Sequence, residues 1–264
     1  MKACVLASSS KGNCTYIGSD TTHILIDAGV SVKDVEGKLS LLKVNPENIS
    51  AILITHEHSD HIKSVHNFTK KYKSCFIYVH KNSYDALITK LPNLDKRRII
   101  IFYNMDFNIG DLNINSFILP HDSSCCVGYS IKNNQNKISI CTDLGHTTSD
   151  IIQNLYDSKL VILESNHDVD MLKQNPHYSY LLKNRILGKN GHLSNETACK
   201  VVEELVSHNV KQVVLAHLSP ENNTPELCYN TMCDYLLSKG IIPNVHILIE
   251  VANQTQIGTL YTLK

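Results

Sequence analysis

Short apolar runs alternate with amphipathic segments along the whole chain. Residues 51–54 form an uninterrupted apolar run that includes the β-branched Ile52 and Ile54, which is typical of a strand buried on both faces. Beyond His61 the spacing becomes helical, with Ile62, Val65 and Phe68 on one face. The pattern therefore predicts a strand, a polar loop and a helix in succession. Active sites of α/β proteins gather in loops of this kind.

The hydrophobic pattern predicts further strands and helices along the rest of the chain. Strands are predicted at residues 2–7, 15–18, 23–27, 76–79, 98–102, 107–109, 112–119, 127–132, 137–142, 160–163, 212–215, 246–251 and 257–263. Helices are predicted at residues 32–42, 81–89, 149–155, 179–187, 196–207 and 226–239. Ser194 is the predicted N-cap of the helix at 196–207. The mixture indicates an α/β protein in which strands and helices occur in both halves.

Composition limits the classes of function. The chain has 264 residues, of which 42% are hydrophobic and 19% charged, as in ordinary globular proteins. One domain spanning residues 1–264 is the expected organisation. The formal net charge is zero, so any contact with nucleic acid must come from a local patch. No apolar run approaches the ~20 residues of a membrane helix, so no membrane partner is expected.

The nine cysteines are scattered and include no CxxC pair. No secretory signal is recognisable at the start of the chain. We therefore expect reduced, mostly buried thiols in a cytoplasmic protein. Adjacent Cys125 and Cys126 could bind a metal, although burial is the more common state of free cysteine.

The polar loop at residues 55–61 contains the densest group of metal-binding side chains. His56 and His58 are two residues apart on an extended turn and can hold one metal ion together. Asp60 and His61 follow closely and suit a second ion beside the first. Imidazole and carboxylate ligands favour zinc, manganese or iron over calcium or magnesium. A solvated histidine-rich loop is the alternative, but five ionisable groups in seven residues favour a metal site.

The motif His56-x-His58-x-Asp60-His61 resembles the signature of the metallo-β-lactamase-fold hydrolases. The resemblance implies a four-layer αββα sandwich with two divalent metal ions, zinc or manganese, with iron as a further option. It implies one ion held by His56, His58 and His121, a second held by Asp60, His61 and His217, and Asp143 as the bridge between them.

The resemblance also assigns supporting roles. It implies that Asp27 supports the metal loop by hydrogen bonds without being a ligand. His192 resembles the histidine that gives a proton to the leaving group in related phosphodiesterases. Its catalytic partners would be Asp60 and Asp143. Glu164 is expected to orient a neighbouring histidine.

Finer motifs look like the YycJ/WalJ subfamily of this superfamily. They are residues 8–14, 25–29, 164–168, 191–195 and 215–223. That resemblance implies a bacterial cytoplasmic 5′→3′ exonuclease acting on DNA, with a suggested link to mismatch repair. Expected phosphate or sugar contacts are Ser9, Asn13, Asn195 and Asn222. The polar turn at 8–13 could offer free donors to an anion.

Other functions remain open at this stage. The first alternatives are a small-molecule or cyclic-nucleotide phosphodiesterase and a thioesterase of the glyoxalase II type. A metal-binding protein without turnover is a third, disfavoured because a purely structural site needs no second ion. If the substrate is a polynucleotide, the first candidates for phosphate contacts are Lys70, Lys71, Lys73, Lys96, Arg97 and Arg98. The sequence leaves the physiological metal and the oligomeric state undetermined.

Overall fold

The computed structural model describes residues 1–134 and 136–263, and its strands form two seven-stranded sheets. The first sheet contains β1 (Lys2–Ala7), β2 (Cys14–Gly18), β3 (His23–Ile26), β4 (Ile49–Leu53), β5 (Phe76–His80), β6 (Ile99–Phe102) and β14 (Tyr261–Thr262). The second contains β7 (Phe107–Ile109), β8 (Leu112–Leu119), β9 (Cys126–Asn133), β10 (Asn136–Cys141), β11 (Leu160–Glu164), β12 (Gln212–Ala216) and β13 (Leu248–Val251).

Helices follow most of the parallel strands. They are α1 (Val32–Leu41), α2 (Ser59–Ile62), α3 (Val65–Lys71), α4 (Lys81–Lys90), α5 (Ser149–Leu155), α6 (Val169–Gln174), α7 (Tyr180–Ile186), α8 (Asn195–Val206) and α9 (Pro225–Ser238). Ser194 caps α8 by accepting a hydrogen bond from the Thr197 backbone N–H, as predicted. Among the described helices, none combines the length and the apolarity that crossing a bilayer requires.

Both sheets are built on the same plan. Their strand orders are β14-β1-β2-β3-β4-β5-β6 and β13-β12-β11-β10-β9-β8-β7. In each sheet one edge pairs antiparallel, and four strands at the other edge, β3–β6 or β10–β13, pair parallel. Polar loops can therefore converge at one side of the two sheets. The strands that end on this side are β3, β4, β8, β10, β11 and β12.

Three apolar clusters define the layers of the fold. One lies between the sheets and includes Ile24, Leu53 and Ile162. A second packs the first sheet against helices through side chains such as Leu39 and Phe68. A third packs the second sheet against α5, α8 and α9. This arrangement confirms the predicted αββα sandwich.

Two predicted strands at the end of the chain are longer than the observed ones. β13 begins at Leu248 rather than 246, because His246 closes a turn in which its N–H bonds the Ile242 carbonyl. Residues 257–260 do not join β14; Gly258 contacts β1 instead, donating its N–H to the Val5 carbonyl and accepting from the Cys4 thiol. The strands predicted at 127–132 and 137–142 place a hairpin turn at 133–136, which includes residue 135, outside the described residues.

Candidate metal centre

Strand ends bring the predicted ligands together from distant parts of the sequence. The loop after β4 supplies His56 to His61, and the loops after β8, β10 and β12 supply His121, Asp143 and His217. These donors form overlapping groups whose ligand atoms lie within 4.8 Å of one another. The structure therefore assembles every predicted metal ligand in one place.

The first group consists of His56, His58 and His121. The ring centroids of His56 lie 4.5 Å from His58 and 5.0 Å from His121. The Nδ1 atoms of His56 and His121 face the Thr55 hydroxyl at 3.0 Å and the Gly191 carbonyl at 3.2 Å. Their Nε2 atoms consequently point towards the shared centre.

The second group consists of Asp60, His61 and His217. Oδ2 of Asp60 lies 3.3 Å from His61 Nε2 and 3.7 Å from His217 Nε2. Asn13 lies beside this group, with its Nδ2 3.2 Å from the same carboxylate oxygen and 3.1 Å from His61 Nε2. Its side chain thus reaches the edge of the centre, where the sequence predicted a substrate contact.

Asp143 lies between the two groups. Its Oδ2 is 3.5 Å from His61 Nε2, and its Oδ1 is 4.0 Å from His121 Nε2. The carboxylate is buried, and its backbone φ of 67° lies in the left-handed region. Asp27 and His217 adopt similar angles of 60° and 58°. Such conformations cost about 1–3 kcal/mol each, and they concentrate where a site requires a fixed side-chain direction.

Asp27 orients the metal loop without reaching the centre. Its Oδ2 accepts hydrogen bonds from His61 Nδ1 at 2.7 Å and from the Thr55 hydroxyl at 2.8 Å. Because a carboxylate only accepts, His61 donates from Nδ1, and its Nε2 faces Asp60 in the second group. This geometry agrees with the supporting role that the resemblance implied for Asp27.

Glu164 at the end of β11 performs the same task for two histidines. Its Oε1 lies 2.8 Å from Nδ1 of both His192 and His217. Its Oε2 accepts the backbone N–H groups of Leu144 and Leu193. The carboxylate is fully buried and has a partner for each oxygen, so it fixes the direction of both rings.

The charges of the cluster are strongly coupled. Burial opposes the charged form of His61, but the carboxylates of Asp143 and Asp27 outweigh it and raise the pKa of this ring. Burial is likewise outweighed at His217, where Asp143 and then Asp60 raise the pKa to about 10. Burial and the neighbouring imidazoles lower the pKa of His56. The carboxylates thus create a negative interior that favours cations.

Several buried ligand atoms have no hydrogen-bond partner among the described residues. They are Nε2 of His56, His121 and His217, and Oδ2 of Asp143. An unpaired buried polar atom is costly, and a cation would satisfy all four. The donor set of imidazoles and carboxylates therefore fits divalent metal ions.

His192 lies at the edge of this centre and lines an adjoining cavity of about 180 Å³. Burial opposes its charged form, but the charge and hydrogen bond of Glu164 raise the pKa of the ring. Tyr178 and Arg185 line the same cavity, and Arg185 pairs with Asp122 at its wall. Tyr178, Arg185 and Asp122 carried no sequence signal as a group, because they belong to separate segments that only the folded chain brings beside His192.

The other expected substrate contacts are less accessible than predicted. Asn195 and Asn222 are each 1% exposed, and their side chains bond Ser165 and Asn175 in an interior polar network. This arrangement favours a supporting role for both over direct contact. Ser9 is also buried, and its hydroxyl accepts the Lys11 N–H.

The turn at residues 8–13 is not the free anion site that was considered. The N–H groups of Ser9 and Asn13 donate to Asn13 Oδ1 and the Asp60 carbonyl, and the Gly12 N–H donates to the Ser9 carbonyl. The Ser8 hydroxyl accepts the His217 N–H at 2.7 Å. The Asn13 N–H thus holds the metal loop, and the Ser8 hydroxyl, as an acceptor, holds the loop after β12.

The fold and the donor set define a metal-dependent hydrolase of the metallo-β-lactamase type. The family model described as a β-lactamase superfamily domain matches residues 22–218, and the chain belongs to this superfamily. The match includes every predicted metal ligand. It confirms the family that the histidine motif suggested, and with it an enzyme that binds divalent metal.

Two curated relatives narrow the assignment. The chain is 35% identical over 237 residues to the exodeoxyribonuclease YycJ of Bacillus anthracis, with 89% of each chain covered. It is 34% identical over 238 residues to the exodeoxyribonuclease WalJ of Streptococcus pneumoniae serotype 2, covering 89% of this chain and 88% of the relative. The chain is therefore a member of the YycJ/WalJ-like subfamily.

A solved structure supports the fold. The metallo-β-lactamase fold protein YhfI of Bacillus subtilis superposes with a TM-score of 0.73. The alignment covers 99% of each chain at 14% sequence identity. At that identity the likeness concerns the fold alone.

Proposed function

We propose that the protein is a binuclear metal phosphodiesterase that degrades DNA from the 5′ end. One observation carries the proposal. Two groups of metal donors lie on either side of Asp143, whose carboxylate oxygens are 3.5 Å from His61 Nε2 and 4.0 Å from His121 Nε2, and His192 stands beside them on a cavity that can receive a leaving group. One group would be His56, His58 and His121, and the other Asp60, His61 and His217. Zinc or manganese suits these ligands, and iron is a further option.

Two bound ions would activate a water molecule and neutralise charge on the phosphate oxygens. The protein's own contribution is to fix the ligands that hold them. Asp27 and Glu164 hold His61 and His217 through Nδ1, which leaves each Nε2 available. Asn13, at hydrogen-bond distance from Asp60, would contact the phosphate or its water from the side of the second group.

His192 would act as the general acid. The bond that breaks joins phosphorus to the leaving oxygen, which needs a proton as it departs. Glu164 holds His192 through Nδ1, so the proton for the leaving oxygen would come from Nε2. Because 21% of the side chain is accessible, solvent can restore that proton after each turnover.

The cavity beside His192 suits the terminal nucleotide. In digestion from the 5′ end, the leaving oxygen is the 3′ oxygen of the first nucleotide. That nucleotide would enter the cavity lined by Tyr178 and Arg185, which offer a ring for stacking and a guanidinium for phosphate. Arg185 would have to leave Asp122 to make this contact.

The choice of DNA rests on the relatives. Both matched relatives are described as exodeoxyribonucleases and align along nearly all of this chain. For this chain we propose the same substrate class, a cytoplasmic location and DNA mismatch repair as a cellular setting. Ser9, Asn195 and Asn222 would act by holding the loops around the site.

The proposal is tested by digesting end-labelled, 5′-phosphorylated duplex DNA in the presence of manganese. A reaction with a chelator is the control. We expect stepwise, metal-dependent loss from the 5′ end by the wild type. Asp60→Ala should abolish the loss, because Asp60 belongs to the second donor group. Intact DNA from protein that carries two metals and hydrolyses a simple diester would contradict the nuclease proposal.

His192→Ala tests the general acid. We expect both metals to remain and the rate on DNA to fall about 10²–10⁴-fold. The loss should be much smaller on bis(p-nitrophenyl) phosphate, whose leaving group needs no proton. Equal losses on both substrates would remove His192 from that role.

A phosphodiesterase for small or cyclic substrates is the second candidate. The cavity volume of about 180 Å³ favours it, since that space suits a single small ligand. Turnover of small diesters together with inert DNA would support this candidate.

A further inference from the structure

Three of the six basic residues that the sequence offered as phosphate contacts are paired within the fold. Lys71 Nζ lies 2.7 Å from a carboxylate oxygen of Glu36, and Arg97 lies 2.9 Å from Asp95. Arg98 donates to two backbone carbonyls, Thr69 at 3.0 Å and Tyr72 at 3.3 Å. These ion pairs and hydrogen bonds offset part of their positive charge and occupy donors that could otherwise contact a phosphate.

A different basic surface adjoins the metal centre. It is a groove of about 350 Å³, and we call it the lysine groove. Its basic residues are Lys11, Lys38 and Lys63. Lys11 and Lys63 are exposed, and neither has a carboxylate within 4.0 Å among residues 1–134 and 136–263.

Direct backbone contacts join the lysine groove to the catalytic loop. Ser9 and Gly12 line the groove, and the next residue, Asn13, donates its N–H to the Asp60 carbonyl at 2.8 Å. Lys63 follows the ligand His61 by two residues. Ser10 of the same turn instead lines the cavity beside His192. The turn at 8–13 thus lies between two spaces, one lined by Ser9 and Gly12 and the other by Ser10 and His192.

We propose that the lysine groove binds the sugar–phosphate backbone of the retained DNA strand. This inference rests on the proposed nuclease function. The terminal nucleotide would occupy the cavity beside His192, and the strand that remains after cleavage would continue over the turn into the groove. Two exposed ammonium groups without ion-pair partners suit a polyanion, and they contact phosphates without reading sequence.

The remaining polar groups of the groove are compatible with this occupant. Lys38 Nζ donates to the Thr255 carbonyl at 2.7 Å, which orders one wall and keeps its charge in the groove. Asp34 is the acidic residue of the lining, and its Oδ2 accepts a hydrogen bond from Ser31 at 2.8 Å. Three positive charges against one negative leave the groove basic, although the whole chain is neutral.

The double variant Lys11→Gln/Lys63→Gln tests the groove. The readout is KM for a 5′-phosphorylated single-stranded oligonucleotide at salt concentrations between about 50 and 200 mM. We expect KM to rise roughly tenfold at the lowest salt while kcat holds. The slope of log KM against log salt should fall by about 0.7 for each lysine removed.

Lys200→Gln/Lys211→Gln is the matched control, because both lysines are exposed, lie outside the lysine groove, and have no carboxylate within 4.0 Å among the described residues. We expect its KM and salt slope to equal those of the wild type. Metal content and turnover of bis(p-nitrophenyl) phosphate show whether either double variant has disturbed the centre.

The outcomes separate this inference from the proposed function. If wild-type protein degrades DNA and Lys11→Gln/Lys63→Gln keeps the wild-type KM and slope, the groove is not the strand site. An equal rise of KM in the control variant would also overturn it, since the effect would then reflect general charge. If the wild type hydrolyses the small diester but not DNA, the nuclease function itself fails.

Discussion

Two buried carboxylates decide the direction in which three histidines point. Asp27 holds His61, and Glu164 holds both His192 and His217, in each case through Nδ1. A histidine that donates from Nδ1 presents Nε2 as a ligand or as a proton donor. At the residue scale, function therefore depends on two side chains that need not touch a metal or the substrate.

Glu164→Gln should separate orientation from simple packing. The amide keeps the volume but offers one acceptor oxygen where two histidines and two backbone N–H groups now bond. We expect metal affinity to fall about 10–100-fold, with a parallel loss of rate. Metal titration of the purified variant measures the effect.

Glu204→Gln is the control for this change, because Glu204 is a surface carboxylate on α8 that bonds the Tyr156 hydroxyl. It should keep wild-type metal affinity. Wild-type affinity in Glu164→Gln as well would mean that His217 is held by other contacts.

Lys137 provides a pH-dependent stability that does not involve the metal centre. Burial, followed by repulsion from Lys132, lowers its pKa to about 8 from the ordinary value of 10.5. Between these values the unfolded chain binds more protons than the folded one, so this group makes the free energy of unfolding rise with pH. Below about pH 8 the charged lysine is a constant cost.

Lys137→Met should remove that rise. Urea unfolding of the wild type and the variant at about pH 8 and pH 10 gives four free energies. We expect the advantage of the variant over the wild type to be larger at the lower pH. A difference between the two proteins that does not change with pH would contradict the lowered pKa.

The sequence predicted the site residues that belong to one local motif. His56, His58, Asp60 and His61 are adjacent in sequence and share one chemistry. Arg185 gave no such signal, because its partner in the cavity wall, Asp122, is 63 residues away in the sequence and meets it only in the folded chain. Contacts between distant loops require the topology.

At the scale of elements, the short segment after β3 controls the position of the metal loop. The Ala28 N–H donates to the His61 carbonyl, and the Gly29 N–H donates to the Asn13 carbonyl, both at 2.8 Å. A Cβ at Gly29 would lie 1.5 Å from the Asp60 carbonyl oxygen. Only glycine permits the two backbones to approach this closely.

Gly29→Ala should therefore displace the loop that carries Asp60 and His61. We expect a loss of about 1–3 kcal/mol in the free energy of unfolding, as for other overpacked sites, together with reduced metal content. Chemical denaturation and metal analysis of the same preparation measure both effects.

Gly37→Ala is the matched control. Gly37 lies within α1, and, apart from its chain neighbours and the backbone of its own helix, no heavy atom of the described residues would lie within 4 Å of its added Cβ. Alanine there should stabilise the protein by up to about 1 kcal/mol, through helix propensity. Equal effects of the two substitutions would show that the close approach at Gly29 does not matter.

Hydrophobic periodicity predicted the positions of the helices and strands well. It predicted the residues at which they begin and end less accurately. β4 and α8 lie where hydrophobic spacing predicted them. β13 and β14 are shorter than expected, because residues 242–247 form a turn and residues 257–260 contact β1 from outside the ladder. The apolar pattern at 257–263 reflects packing, which periodicity cannot distinguish from strand pairing.

At the scale of the whole molecule, the two sheets repeat one plan of antiparallel and parallel pairing. The sequence shows no short-period repeat, so this symmetry could not be inferred from it. The metal centre draws on both sheets, with His56 from a loop of the first and His217 from a loop of the second. Bound metal would therefore link the two halves.

This geometry predicts how the protein unfolds. Both sheets share the apolar cluster between them, so residues 1–264 should form one cooperative unit, with a single thermal transition. Metal that binds only the folded state adds about 2.7 kcal/mol at 100 times its Kd. For a chain of this length, removing it with a chelator should lower Tm by roughly 5–10 °C while the transition stays single. Scanning calorimetry of metal-loaded and stripped protein measures both properties. Two transitions in the loaded protein would mean that the sheets fold separately, and an unchanged Tm after verified metal removal would mean that the metal does not join them.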